Sequence, residues 1–306
     1  MISVIICTYN RSEKLAECLK SILTSNYYGY EIIIIDQSNN YESKRAIDKL
    51  IFYKIRYYKM EEMGLSNARN FGLQKAKGSI IAFTDDDCVI DKKWIENIYK
   101  TFQKYKNISA VFGQVIPYEK KSHKNEICPC TIMIPKQHLI QKPCFHTDNF
   151  GFGNNMAFKK NVFENNGVFK KWLGPGSMGL NGEDAEFPLR LLINENKILY
   201  NPSAIIYHNR WLNQKEYNKQ FLSYSCGEIA CYGYFATQGY PFAKKVIIKN
   251  FRNSYFEIKS SMVNLIKLKK SNIKDILYYI LLLAFKIRGL LIAVYFSKAD
   301  PLKFKE

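Results

Sequence analysis

Three consecutive carboxylates, Asp85, Asp86 and Asp87, follow directly on the apolar run Ile80–Phe83 and Thr84. An apolar run of this kind reads as a buried strand, and the abrupt change to acid reads as its solvent-facing end. Carboxylates this close repel one another unless a cation or raised pKa values relieve them. A hard divalent ion with oxygen ligands, of the Mg2+ or Mn2+ type, supplies that relief. A solvated acidic turn is the plainer account of the same residues. A second acidic pair, Glu183–Asp184, follows Gly182 at the start of a segment with helical periodicity. Acids there also suit the positive end of a helix dipole. A third cluster brings His123, Cys128, Cys130, His138, Cys144 and His146 within 24 residues. Zinc uses such ligands, but the spacing is CxC and not CxxC, which favours a loop with incidental thiols.

The elements that must position these residues alternate between strand and helix. Ser3–Cys7 is strand-like, and Thr8–Ser12 turns it into a helix with Leu15, Cys18, Leu19, Ile22 and Leu23 on one side, capped by Asn10 or Ser12. Glu31–Ile35 is a second strand ending in Asp36, and four successive isoleucines suit a parallel sheet covered on both faces. Ile55–Met60 is a third strand, and a helix follows from about Leu65 to Ala76. The run into Asp85–Asp87 is then the fourth strand of a Rossmann-like half. Open sheets of this type bind ligands beyond the carboxyl ends of their strands, where the aspartates stand. Further on, Trp94–Tyr105 reads as a helix, Ile108–Ile116 as a strand and Lys120–Thr147 as a loop without period. Gly151–Phe158 passes from a glycine turn into a strand, Ala185–Asn194 is helical, and Ile198–Tyr207 is a strand ending at His208. From about Asn213 the chain turns aromatic, basic and helical.

A chain of 306 residues, 47% hydrophobic and 15% aromatic, can bury a substantial core and is not a disordered segment. Its formal charge is +18, and residues 241–306 hold fourteen Lys and Arg against four Asp and Glu, a surplus of +10. Positive charge concentrated in the last fifth of the chain points to an anionic surface met there. Ile276–Phe296 is long enough to span a bilayer, with Lys286 and Arg288 at its centre. Each costs about 2.5–3.5 kcal/mol at that depth, which favours a helix lying on or dipping into the membrane over one that crosses it. A helical hairpin packed on the catalytic domain is the other account. No nucleic-acid motif accompanies the basic tail, so no nucleic-acid partner is expected. The start MISVIICTYN lacks a signal-peptide pattern, and Cys7 and Cys88 sit in strand-like runs as buried thiols would. A cytosolic catalytic part is the expectation.

Six segments in this order resemble the family 2 nucleotide-sugar glycosyltransferases, which have the GT-A fold. They are VIICTYNR at 4–11, IIIIDQS at 32–38, GLSNARNFGL at 64–73, IIAFTDDD at 80–87, GFGNNMAF at 151–158 and GEDAEFPLRL at 182–191. The resemblance implies an α/β GT-A domain over 1–213, a Rossmann-like, mostly parallel sheet flanked by helices. Its donor half runs to about 116 and its acceptor half from about 117; a helical, membrane-associated extension follows over 214–306. Carried over by position, it places Thr8 and Tyr9 at the donor base, Asp36 at base or ribose, Arg69 near the diphosphate, Asp85 at the ribose, and Asp86 in the donor site. Asp87 would hold the metal, with His208 a further metal or diphosphate ligand. Cys88 stands where many members carry another acid. Gly153, Asn154 and Asn155 would meet the acceptor, and Asp184 would be the general base, with Glu183 in reserve.

The implied reaction is a metal-dependent, inverting hexosyl transfer from a nucleotide diphosphate sugar to a hydroxyl of a saccharide. The acceptor would be lipid-linked, and the enzyme would work at the cytoplasmic face of the cell membrane in surface-glycan synthesis. Asp36 makes UDP the default donor nucleotide, and Mn2+ or Mg2+ the expected cofactor. A sugar-1-phosphate nucleotidyltransferase is the alternative, but TYNRSEK lacks the Gly-rich phosphate loop that class uses. A dinucleotide reading of GFGNNM fails at Met156, and no P-loop pattern occurs. A non-catalytic, membrane-bound scaffold of the same fold is the third reading, against which intact Asp87 and Asp184 speak.

Overall fold

The computed structural model describes residues 1–50, 54–119, 123–143, 150–266 and 273–301. The chain falls into two compact units, Met1–Lys171 with Phe187–Tyr217, and Trp172–Glu186 with Asn218–Glu306.

The first unit opens with β1 (Ile2–Thr8) and α1 (Ser12–Leu23), which buries Leu15, Cys18, Leu19 and Ile22 at the expected helical spacing. Its N-cap position is held by Arg11, without a side-chain cap, and not by Asn10 or Ser12. Asn10 lies at φ 54, and its amide group faces Asn39 instead. β2 (Tyr30–Asp36) is buried along its whole length, as four isoleucines facing two covered layers require. α2 (Glu42–Asp48), β3 (Ile55–Lys59), α3 (Leu65–Lys75) and β4 (Ile80–Asp85) complete three strand–helix passes. Asp86 and Asp87 form the turn into the short strand β5 (Cys88–Ile90). α4 (Trp94–Lys104), β6 (Ala110–Pro117), β7 (His138–Ile140), β8 (Met156–Lys159) and α5 (Asn161–Asn166) follow; α6 (Glu183–Ile193) begins in the second unit, and β9 (Ile198–His208) returns to the sheet.

The nine strands form one sheet in the order β3-β2-β1-β4-β8-β6-β9-β5, with β7 also on β9. It is parallel through β3-β2-β1-β4 and mixed beyond, because β8 runs antiparallel to both β4 and β6. Register places Cys7 beside Asp85, and Thr8 beside Asp36, so three strands end on one line. Behind them Phe83, Phe158, Phe163, Phe169 and Phe187 pack ring on ring, with Phe163 and Phe187 stacked at 4.7 Å. Aromatic contacts of this kind add about 0.5–1.5 kcal/mol each beyond area burial, giving the strand ends a rigid backing.

Asn155 holds a bulge in β9, where Pro202, Ser203 and Ala204 are looped out of the pairing opposite Gly113 and Gln114 of β6. Its Nδ2 donates to Gln114 O at 2.9 Å and to Ala204 O at 2.8 Å, while Oδ1 accepts from Trp94 Nε1 at 2.8 Å. Gly113 is required there, since a Cβ would lie 2.1 Å from Ala204 O.

α7 (Gln214–Thr237) enters the second unit at Asn218 and is buried through most of its second half; there α8 (Pro241–Ile266) packs along α9 (Ile273–Ala299), and Trp172 stacks on Phe296 at 4.7 Å. Lys286 does not lie bare at the centre of an apolar helix. It is buried and donates to Ser254 Oγ at 2.9 Å and Asn250 O at 3.3 Å of α8, which supply the partners its ammonium needs. Arg288 is exposed, and its Nη2 donates to Met178 O at 3.3 Å. The opposite side of α9 leaves Leu277, Ile280, Leu281, Ile287, Leu291, Val294 and Tyr295 exposed, and Ile273–Ala299 is the one helix among the described residues long and apolar enough to cross a membrane.

Candidate active site

Each of the three aspartates at the end of β4 faces a cation. Thr8, at the end of β1, donates its hydroxyl to Asp86 Oδ2 at 2.7 Å. Arg11 Nη1 reaches Asp86 Oδ1 at 3.1 Å and Asp87 Oδ2 at 2.9 Å. His208, at the end of β9, brings Nε2 to 3.3 Å from Asp87 Oδ1, and the backbone of Asn209 ties the same strand end to the turn by donating to Asp87 O at 2.8 Å. Arg69 of α3 lies 3.5 Å from Asp85 Oδ1 and donates to Gly153 O at 3.2 Å, with its guanidinium 5.8 Å from the rings of Phe83 and Phe169. Asp86 and Asp87 are buried, whereas the side chain of Asp85 is 37% exposed.

Burial, with the charge of Asp87 beside it, raises the pKa of Asp86 against the opposing pull of Arg11 and Thr8. Burial also works against ionisation of Asp87, but the hydrogen bond and charge of His208, with Arg11, outweigh it and hold this carboxyl low. Burial opposes a charge on His208 as well, and the Asp87 carboxylate carries its pKa upward nonetheless. The result is one buried ion pair at Asp87 and one carboxyl at Asp86 that holds its proton more readily.

A backbone carbonyl only accepts, so the 2.8 Å contact of His208 Nδ1 with Pro129 O puts a proton on Nδ1 and aims Nε2 at Asp87. Among the described residues, Asp87, Cys88 and His208 bring ligand atoms within 4.8 Å of one another. Burial pushes the Cys88 thiol well up, and a soft sulfur is a poor match for a hard divalent ion. Carboxylate and imidazole are the pair left to hold a divalent ion, and their chemistry suits one of the Mn2+ type.

The remaining expected residues divide. Gly153 joins the cluster through its carbonyl. Tyr9, next to Thr8 in sequence, is 46% exposed. Asn154 is buried with neither Oδ1 nor Nδ2 hydrogen bonded, while all the hydrogen bonds of the Asn155 amide described above are internal to the fold. Asp36 is fully buried, accepting from Ser38 N at 2.8 Å and Tyr57 Oη at 2.7 Å, with Lys59 Nζ 3.5 Å away. Glu183 and Asp184 belong to the second unit, at the first turn of α6. There Gly182, at φ 95, leaves room for Gly227 O, which a Cβ would approach to 2.6 Å.

Among the described residues, His123, Cys128 and His138 of the loop turn to separate partners. His123 stacks on Trp211 at 4.3 Å and meets Glu126, His138 stacks on Tyr200 at 5.2 Å, and Cys128 donates to His208 O at 3.3 Å. Cys144 and His146 lie outside the described residues. Sequence reasoning passed over Arg11 and the carbonyl of Pro129. The signal for Arg11 was available, since adjacent ends of β1 and β4 bring residues just past Thr8 to residues just past Asp85.

Comparison with known proteins follows the same lines. The family described as Glycosyl transferase family 2 matches residues 3–167. A glucosyl-dolichyl phosphate glucuronosyltransferase of Haloferax volcanii is 27% identical over 237 residues, 72% of this chain and 71% of that protein. Glycosyltransferase GlyG of Streptococcus pneumoniae is 30% identical over 123 residues, 39% and 40% of the two chains. Among solved structures, the mannosyltransferase PcManGT from Pyrobaculum calidifontis, in complex with GDP-Man and Mn2+, superposes with a TM-score of 0.62 at 15% identity, covering 94% of this chain and 86% of that one. S. aureus TarS 1–349 in complex with UDP-GlcNAc gives 0.59 at 14% identity, covering 98% and 88%. Likeness at such identities establishes the GT-A fold. With more than half its length matched by the family, from the first residues of β1 to the end of α5, the chain belongs to glycosyl transferase family 2 and is a glycosyltransferase.

Proposed function

We propose that the protein transfers a sugar, with inversion, from a nucleotide diphosphate donor to a hydroxyl of a lipid-linked saccharide, using a divalent ion held at Asp87 and His208. The observation that carries this reading is the buried turn Asp86–Asp87 between Arg11 and His208, a site built around charge at the carboxyl ends of the strands. Mn2+ or Mg2+ bound there supplies Lewis-acid stabilisation of the leaving diphosphate. Arg69, already rigid between two phenylalanine rings, adds charge-assisted hydrogen bonds to the same phosphates. Asp85, the most exposed of the three acids, takes a ribose hydroxyl. Tyr9 offers a stacking face for the base. Asp36 acts on base or ribose through the loop after β2, whose Ser38 it holds. Gly153 and Asn154 meet the acceptor, with the buried amide of Asn154 awaiting a partner, and Asn155 keeps their turn in place. Asp184 takes the proton of the attacking hydroxyl, with Glu183 in reserve; a positioned base of this kind contributes about 10²–10⁴-fold.

PcManGT with GDP-Man and TarS with UDP-GlcNAc support a nucleotide-sugar donor and leave the base open, with UDP as default. The dolichyl phosphate substrate named for the Haloferax relative, the exposed apolar row of α9 and the lysines of α8 support a lipid-linked acceptor at the cytoplasmic face of a membrane. Calorimetric titration with UDP, dTDP, GDP and CMP, each with Mn2+ and with EDTA, tests the donor: one diphosphate should bind, and only with metal. Binding of none removes the reading. Flotation with phosphatidylcholine–phosphatidylglycerol vesicles tests the surface, where Leu277→Glu with Leu291→Glu should release the protein.

A further inference from the structure

One nitrogen of Arg11 sits between two carboxylates of different residues, 3.1 Å from Asp86 Oδ1 and 2.9 Å from Asp87 Oδ2. We infer that Arg11 is a built-in counter-ion that holds Asp86 and Asp87 together while the donor is absent, and yields its place when a divalent ion and a nucleotide diphosphate arrive together. This rests on the donor and metal reading above and adds to it a residue that couples the two.

The partners differ in their freedom to move. The carboxylate side chains are 5% and 6% exposed, and that of Arg11 is 41% exposed. The turn beneath Arg11 is anchored, with Asn10 N donating to Ser38 Oγ at 2.7 Å and Asn10 Nδ2 to Asn39 Oδ1 at 3.0 Å, so the guanidinium can leave without disturbing β1. Arg69 has no such freedom, being buried between Phe83, Phe169 and Gly153 O.

Charge decides the rest. The acids Asp85, Asp86 and Asp87 already have the guanidinium groups of Arg11 and Arg69 and the ring of His208 against them, so their negative charge is offset without any ion. A dication entering this balance must displace positive charge or bring negative charge with it. The diphosphate brings the negative charge, and Arg11, displaced toward solvent, gains phosphate oxygens that its fork fits bidentately. Metal alone should therefore bind poorly, and metal with diphosphate well.

Electron paramagnetic resonance titration of the full chain with Mn2+, with and without UDP, reads this directly. The wild type should bind Mn2+ weakly alone and markedly better with UDP. Arg11→Gln should bind Mn2+ on the order of tenfold tighter without nucleotide, about one ion pair in affinity, and gain less from UDP. A general loss of structure would lower Mn2+ affinity, so the rise is specific to a displaced competitor. Folded Arg11→Gln that binds Mn2+ no tighter than the wild type overturns the inference, with the donor reading intact if UDP still binds with metal. Should that variant fail to fold, the wild type carries the test: Mn2+ binding as tight without UDP as with it overturns the inference. Absence of any metal-dependent diphosphate binding overturns both.

Discussion

Strand β1 has buried acid beside each of its ends, Glu31 of β2 at one and the Asp86–Asp87 turn after β4 at the other, and the two are built on opposite terms. At its amino end Glu31 accepts from Ser3 Oγ and Lys77 N, both at 2.7 Å, and from Arg56 Nη1 at 2.8 Å, while Ser3 Oγ in turn accepts from Gly78 N at 2.8 Å. Burial would raise its pKa, but these three donors outweigh burial and bring it below its ordinary value. At the carboxyl end Asp86 has a hydroxyl and one shared guanidinium nitrogen for partners, and its pKa is raised. A carboxylate given short donors on both oxygens stabilises the fold; one left under-partnered beside another acid costs stability and waits for charge from outside. Acids alike in burial therefore differ in how far their donors satisfy them.

The widest separation should appear in donor binding. Asp87→Asn should weaken metal-dependent nucleotide binding by at least the roughly 10–100-fold that loss of a supporting outer partner costs a metal site. Glu31→Gln should leave that affinity unchanged. Calorimetry on both variants measures it, and equal losses would erase the distinction between the two ends.

Stability should reverse the order. Glu31→Gln turns an acceptor into a group with its own donors to place, beside Ser3, Lys77 N and Arg56, and should cost about 1–3 kcal/mol at neutral pH in urea unfolding. The sign of its pH dependence follows from the lowered pKa. Ionised Glu31 stabilises the fold above its unfolded value, and this contribution is lost as pH falls through the folded pKa, below 4.5. The gap between wild type and variant should therefore close in acid, and a gap independent of pH would show that the loss is one of packing.

Much of the first unit was legible because its elements bury continuous apolar runs. The four isoleucines of β2, the run into Asp85 and the spacing of Leu15, Cys18, Leu19 and Ile22 all specify their structure locally. The strands β5 and β7 have three residues each and were not legible, since what makes them strands is pairing with β9, a partner far away in the chain. Asn155 illustrates the limit at the site. Its neighbours Gly153 and Asn154 read as a ligand turn, but only the bulge of β9 opposite Gly113 reveals that the Asn155 amide is held inside the fold. Lys286 shows the same limit in the second unit, where its partners Asn250 and Ser254 lie a full helix earlier. The aspartates stood out as a candidate site because nothing local explains three adjacent acids after an apolar strand.

The finest test uses two hydroxyls on β1 itself. Ser3 and Thr8 each donate to a buried carboxylate at 2.7 Å, five positions apart on the same strand. Distance and chemistry alone would predict equal effects of removal. The partners predict otherwise. Ser3→Ala deprives Glu31 of one donor and Gly78 N of its acceptor, leaving a buried N–H unpaired, and should cost about 1 kcal/mol or somewhat more with donor binding unchanged. Thr8→Val keeps the shape of the side chain at a carboxyl already raised by burial and by Asp87, which can hold its own proton in place of the lost bond. Its unfolding midpoint should move less than that of Ser3→Ala, while metal-dependent nucleotide affinity should fall, since Asp86 is then less well fixed beside Asp87. Parallel urea unfolding and calorimetry on the two variants decide it. If both lose stability alike and neither changes nucleotide affinity, the carboxyl end of β1 is as structural as the amino end, and the line drawn between the two acid clusters is in the wrong place.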